Sequence, residues 1–128
     1  MKYTEHNCPF CQWDASRGII LKSEYAFAIF DKFPVSQGHA LIIPNRHTSN
    51  YFDLSPAEQS HCIQLLNEVK QKVSEQFSPD GFNVGINVNE AAGQTVPHVH
   101  IHLIPRYHGD VANPLGGVRG VIPDKKEY

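Results

Sequence analysis

Three histidines alternate with branched apolar residues in the run His98-Val99-His100-Ile101-His102-Leu103. Side chains two apart on a strand share a face. An extended backbone would therefore set three imidazoles in a row, about 6.6 Å apart at the Cα level, and turn Val99, Ile101 and Leu103 the other way. Three readings suit such a row. The imidazoles could be polar groups on a solvated strand face. Two of them could share one zinc ion, as a His-x-His pair on a strand can. Or a neutral imidazole could attack phosphorus with its free lone pair near pH 7, leaving a phosphoramidate that becomes labile once its nitrogen is protonated. Strict alternation of three is hard to obtain by indifference. A catalytic-zinc hydrolase would need an open coordination position and a general base, and the sequence has no His-Glu-x-x-His or similar pattern to supply them.

A second chemical feature is Cys8-Pro9-Phe10-Cys11. No βαβ pattern surrounds it, as a thioredoxin-like redox site would require, so the pair is either a metal site or two unliganded thiols. Cys62 falls near the apolar stripe of a helix and is expected to be a small buried hydrophobe. His6, His61 and His108 follow no comparable pattern, and surface positions are the default for them.

The elements that must hold these groups are short. At 128 residues, 41% hydrophobic and 19% charged, the chain suits one ordered domain with a real core. A net charge of -2 excludes the basic field of a non-specific nucleic-acid binder. No apolar run approaches the roughly 20 residues of a membrane span, and no signal-peptide segment follows the polar N-terminus. With three cysteines, these features lead us to expect a cytoplasmic protein with no membrane partner.

Strands are expected at 18–22, 25–31 and 38–43. Ser55-Pro56-Ala57-Glu58 is a capping box with proline at the first helical position, and Ile63, Leu66, Val69, Val73 and Phe77 form the apolar stripe of a helix over 55–77. Two further strand segments, 82–88 and 97–105, flank the turn-rich Asn89-Glu90-Ala91-Ala92-Gly93-Gln94. From Tyr107 onward glycine and proline predict loop or an extended arm. The order implies an α+β domain with a mostly antiparallel sheet. One helix covers one sheet face, so the other carries a site, a partner or both.

The run Gly93-Gln94-Thr95-Val96-Pro97-His98-Val99-His100-Ile101-His102-Leu103-Ile104-Pro105-Arg106 resembles the signature of the histidine triad (HIT) superfamily. Upstream, Phe30-Asp31 and then Gly38-His39-Ala40-Leu41-Ile42-Ile43-Pro44 match the family's second block. The resemblance covers about residues 8–106, and Gly93-Gln94-Thr95-Val96 with Ile104-Pro105-Arg106 is most similar to the fragile histidine triad (Fhit) branch. It implies a single HIT domain over 1–128, with 107–128 as a tail. It also implies a five-stranded, mostly antiparallel sheet with one long helix and a short one, the sheet continuing across a homodimer.

The implied activity is hydrolysis at the α-phosphate of a dinucleoside polyphosphate or related nucleotide, with His100 as nucleophile and the His98 carbonyl accepting its Nδ1 proton. Adenosine phosphoramidase activity, as in the Hint branch, and a nucleotide-binding module with little turnover are the alternatives. By the same resemblance His98 and His102 complete the triad, and His102 binds phosphate oxygens or assists the leaving group. Asp31 holds the ribose and His39 is a fourth active-site histidine. Asn89, Gln94 and Thr95 stand where phosphates are contacted, with Gln94 and Thr95 alternatively plain turn residues, and Asn87 is a further nucleotide-binding position. Asn87 replaces the Fhit glutamine. The transferase branch has glutamine in place of the third histidine, and retention of His102 favours hydrolysis. Cys8, Cys11, His47 and His98 match zinc ligands of bacterial relatives, and four protein ligands make a closed, structural site. Arg119 in the tail is a candidate phosphate contact or a solvated loop arginine.

Overall fold

Short β-branched and aromatic runs between turn residues become five strands in the computed structural model, which describes residues 4–128: β1 (Leu21–Lys22), β2 (Ala26–Phe30), β3 (Ala40–Pro44), β4 (Gly81–Ile86) and β5 (Ile101–Arg106). They form one sheet in the order β1-β2-β3-β5-β4, with every neighbouring pair antiparallel. The helix α1 (Pro56–Phe77) follows β3 and covers one face.

The capping box forms as its spacing predicts. Ser55 Oγ accepts from the Glu58 N–H at 3.1 Å, and a Glu58 carboxylate oxygen accepts from the Ser55 N–H at 2.8 Å. In its first turns the buried stripe is set one residue earlier than the larger apolar residues suggest, while Val69 and Val73 are buried as expected and Leu66 and Phe77 pack against the same core. It runs through Cys62, Leu65, Val69 and Val73, while Ile63 is 45% exposed. The sheet beneath explains the shift. Ala26, Ala28 and Ala40 share one buried cluster with Cys62, Leu65, Val69 and Val73, so small side chains of the sheet meet this side of the helix. Gly38 marks a close approach, with φ at +89° and a position where an added Cβ would meet the Phe77 ring at 2.8 Å.

Ile101 and Leu103 complete the helix-side core, as the alternation predicts. On the opposite face Ile29, Leu41 and Ile43 are buried under Phe10, Trp13 and Phe27, so the N-terminal arm lies over the sheet there.

Several boundaries differ from expectation. The first strand covers only Leu21–Lys22, and β5 begins at Ile101, so His98 and His100 precede the strand. The Val99 N–H goes to the Thr48 carbonyl at 2.8 Å instead of a sheet ladder, which is why the run is not one continuous strand. The short helix is realised only as 3-10 turns, one of them at Tyr51–Asp53 just before α1. The tail is neither plain loop nor extended arm. It makes 3-10 turns at Gly117–Val121 and Pro123–Lys125 and is tied down where it leaves β5, by the Arg106–Asp110 ion pair at 2.8 Å and by Tyr107 Oη donating to the Gln37 carbonyl at 2.7 Å. His61 is half-buried against Tyr25, whereas His6 and His108 are exposed as expected. No helix among the described residues is long and apolar enough to cross a membrane.

Candidate active site and metal centre

His100 stands at the entrance to β5. Its Nδ1 lies 2.9 Å from the His98 carbonyl oxygen. A carbonyl can only accept, so Nδ1 carries the proton and Nε2 keeps a bare lone pair. Burial pushes the pKa of His100 down, against the opposing pull of the His98 carbonyl and Asp31, and the ring is therefore neutral near pH 7.

A second proton position follows from a backbone amide. The Val35 N–H donates to His39 Nδ1 at 3.1 Å, which leaves the His39 proton on Nε2. That Nε2 is 3.0 Å from His102 Nδ1 and 3.4 Å from a carboxylate oxygen of Asp31. It donates to His102, so His102 in turn keeps its proton on Nε2. Burial, then the neighbouring His100 and His39, push the His102 pKa down to about 4. The rings of His100 and His102 are 5.0 Å apart. A bare nitrogen thus stands beside an N–H donor, the pairing needed for attack on phosphorus and stabilisation of a departing oxygen.

These groups line a cavity of about 600 Å³, of the size that takes small ligands. Phe10, Ile29, Leu41 and Val35 give it an apolar side, and Asp31, His39, His100 and His102 a polar one. Asn87, Gly93, Thr95 and Val96 bring the loop between β4 and β5 to it, and Arg17 and Lys32 are its cations.

His98 turns elsewhere. Its Nε2 lies 2.7 Å from the Pro44 carbonyl and therefore carries the proton. Its bare Nδ1 then meets Cys8 Sγ at 3.5 Å, Cys11 Sγ at 3.4 Å and His47 Nδ1 at 3.2 Å, while Cys11 Sγ and His47 Nδ1 are 3.2 Å apart. One hydrogen could satisfy one of these approaches, whereas a central cation satisfies all of them. Zinc–sulfur bonds of about 2.3 Å and zinc–nitrogen bonds of about 2.0–2.1 Å give tetrahedral edges of about 3.3–3.8 Å, close to what is seen. Without a cation, burial and the neighbouring Cys8 push the Cys11 thiol up to about 11. The donor set fits a closed zinc site that would join the N-terminal arm to the segment before β5. Phe10, between the two cysteines, lies 5.7 Å from the His98 ring and 5.0 Å from the His100 ring.

The chain matches the HIT domain family over residues 14–109. It belongs to the HIT family. A bis(5'-adenosyl)-triphosphatase of Saccharomyces cerevisiae is 35% identical over 120 residues, covering 93% of this chain, and this chain spans 55% of that protein's length. A HIT family protein from Bacillus anthracis superposes with a TM-score of 0.75 at 36% identity, covering 81% of this chain and 76% of that one. A zinc-bound histidine triad family protein from Mycobacterium smegmatis superposes with a TM-score of 0.75 at 31% identity, covering 86% and 82%.

In this HIT chain the residues singled out from the sequence divide into two groups. Asp31, His39, Asn87, Thr95, His100 and His102 line one cavity, and Cys8, Cys11, His47 and His98 form one cluster. The imidazole of His98 has neither nitrogen free for the cavity, so the three rings do not act as one row. Three residues do not line the cavity. Gln94 is buried, accepting from the Asn89 N–H at 2.8 Å and donating to the Ser49 and Val96 carbonyls at 2.8 and 3.1 Å. Asn89 is exposed, with φ at +72°. Arg119 donates to the Lys125 and Lys126 carbonyls at 2.7 and 3.2 Å, closing the tail on itself. Sequence reasoning missed Phe10, Trp13, Arg17, Lys32 and Val35. Phe10 had a signal, since it lies inside the cysteine motif.

Proposed function

We propose that this chain is a nucleotide hydrolase cleaving at the α-phosphate of a dinucleoside polyphosphate through a covalent nucleotidyl-His100 intermediate. One observation carries the reading: His100 Nε2 is bare and His102 Nε2 is protonated, each fixed by a hydrogen-bond partner on its other nitrogen. The base packs against Phe10, Ile29 and Leu41, and the ribose hydroxyls donate to Asp31. His100 Nε2 attacks the α-phosphorus, forming a P–N bond as the P–O bond to the outgoing nucleotide breaks. The His102 Nε2–H stabilises the oxygen that takes the electron pair. The phosphorylated ring is cationic, and its Nδ1–H stays on the His98 carbonyl. Water then attacks phosphorus and releases a proton to solvent as the P–N bond returns its electrons to His100, and a nucleoside monophosphate departs. Thr95 and Asn87 stand on the loop side of the cavity as phosphate contacts.

Cys8, Cys11, His47 and His98 would hold a structural zinc ion, and so bound they would keep Phe10 against the site and fix the residue whose carbonyl orients His100. Thiolate ligands suit a reducing compartment such as the cytoplasm. The outer edge of β4 supports a homodimer with a continuous sheet, because β4 ends the sheet and carries Val84 at 45% exposure. Light scattering at micromolar concentration tests the dimer, and a monomer there contradicts it.

The similarity to a bis(5'-adenosyl)-triphosphatase supports the substrate class. Turnover on a panel of diadenosine polyphosphates and adenosine phosphoramidates tests it. The proposal expects the polyphosphates to be cleaved faster, with a nucleoside monophosphate among the products. Faster cleavage of the phosphoramidates would replace it with a phosphoramidase, and no turnover on either with a binding module.

A further inference from the structure

A second cavity, of about 700 Å³, lies between the C-terminal half of α1, the end of β2 and the N-terminal arm. Its volume is in the range that holds small organic ligands. Phe30 supplies aromatic surface, Trp13 carries the Arg17 guanidinium over one face of its ring at 4.6 Å, and Arg17, Lys32 and Lys72 supply three cations. Glu75 is the one carboxylate on its wall, and it accepts from Gln71 Nε2 at 3.1 Å.

The backbone adds a donor and an acceptor. The Asp31 N–H goes to the His39 carbonyl at 2.9 Å, on the β3 side. Strand alternation then turns the N–H and C=O of Phe30 to the other side. There β1 pairs only as far as Ala28, through Leu21, with the Ile20 N–H on the Ala28 carbonyl at 2.7 Å. Among the described residues neither backbone group of Phe30 has a backbone partner on that side. An adjacent donor and acceptor beside flat apolar surface suit the edge of a heterocyclic base, and a cluster of cations suits a phosphate.

We propose that this cavity is a second nucleotide-class site, holding an aromatic base against Phe30 and Trp13 and its phosphate on Arg17, Lys32 and Lys72. It is distinct from the histidine cavity, although Trp13, Arg17 and Lys32 stand on the boundary of both. It goes beyond the hydrolase reading and does not depend on it, because ligand occupancy here requires no attack by His100.

Calorimetric titration of the intact protein with adenosine 5'-monophosphate tests the site. Two binding events per chain are expected. Lys72→Glu, on an exposed helix position away from the histidines, should weaken one of them at least tenfold and leave kcat/KM on the hydrolase substrate unchanged. Lys72→Ala, which changes charge less, should weaken the same event by a smaller factor. Two parallel titrations set the ligand class, since inorganic phosphate alone and adenosine alone should each bind that site at least tenfold more weakly. A single event per chain would overturn the proposal, as would a second event indifferent to Lys72→Glu. Phosphate binding as tightly as the nucleotide would also overturn it, leaving a plain anion site.

Discussion

His39 Nε2 lies 3.0 Å from His102 Nδ1, and the backbone N–H of Val35 already occupies the other nitrogen of His39. A main-chain amide thereby decides, through two rings, that His102 presents a hydrogen to the cavity. His102→Ala should lower kcat about 10²–10⁴-fold on a diadenosine polyphosphate, the usual range for a general acid. On a p-nitrophenyl ester of adenosine monophosphate, whose leaving group needs no proton, the loss should be much smaller. Comparing the two substrates in steady-state kinetics checks this, and equal losses would remove the leaving-group role.

The same burial makes stability depend on pH. His102 is held neutral in the fold, with its pKa pushed from 6.5 to about 4, so between those values the unfolded chain binds more protons than the folded one. Stability therefore rises with pH across that window, is fully present above about 6.5, and is lost as pH falls toward 4. His39 is shifted in the same direction, chiefly by burial. Denaturant unfolding at pH 7 and pH 4.5 should show a smaller stability difference for His102→Gln than for the wild type. An identical difference would mean that the ring is not held neutral.

Zinc should behave as structure. About one zinc per chain is expected by metal analysis, and Cys8→Ser should lose it together with a large drop in Tm. Cys62→Ala should keep the metal, because Cys62 lies in the core under α1. If added zinc raised the rate without raising Tm, a catalytic metal would be indicated.

Gln94 should matter for the fold of the loop and not as a phosphate contact. Its amide joins Asn89, Ser49 and Val96, and Gln94→Ala leaves buried partners unmet, at a cost of about 1–3 kcal/mol. Equilibrium unfolding measures this. Unchanged stability with a raised KM would instead make Gln94 a substrate contact.

The pattern of Ile101, His102 and Leu103 was legible because strand periodicity governs that stretch, with His100 at its entrance. His98 broke the pattern for reasons remote in sequence, since its nitrogens meet Pro44, His47 and the two cysteines. The family motif nevertheless brought those four ligands together on paper. The helix was legible from its capping box, but the start of its stripe, at Cys62 and not Ile63, was not, because the alanines that meet it lie on strands remote in sequence. Trp13, Arg17 and Lys32 were not legible at all. They sit in segments without periodicity and are placed by the packing of the arm on the second apolar cluster.

The most direct measurement is acid-controlled trapping of the intermediate. Protein mixed with a dinucleoside polyphosphate labelled at the α-phosphate, then quenched in base within one turnover, should carry label that is stable to alkali and released by acid, as a phosphoramidate requires. Mass spectrometry should place one nucleotidyl group on the peptide containing His100, and His100→Ala should carry none while still binding nucleotide. Wild-type turnover by the His100→Ala protein would contradict the account.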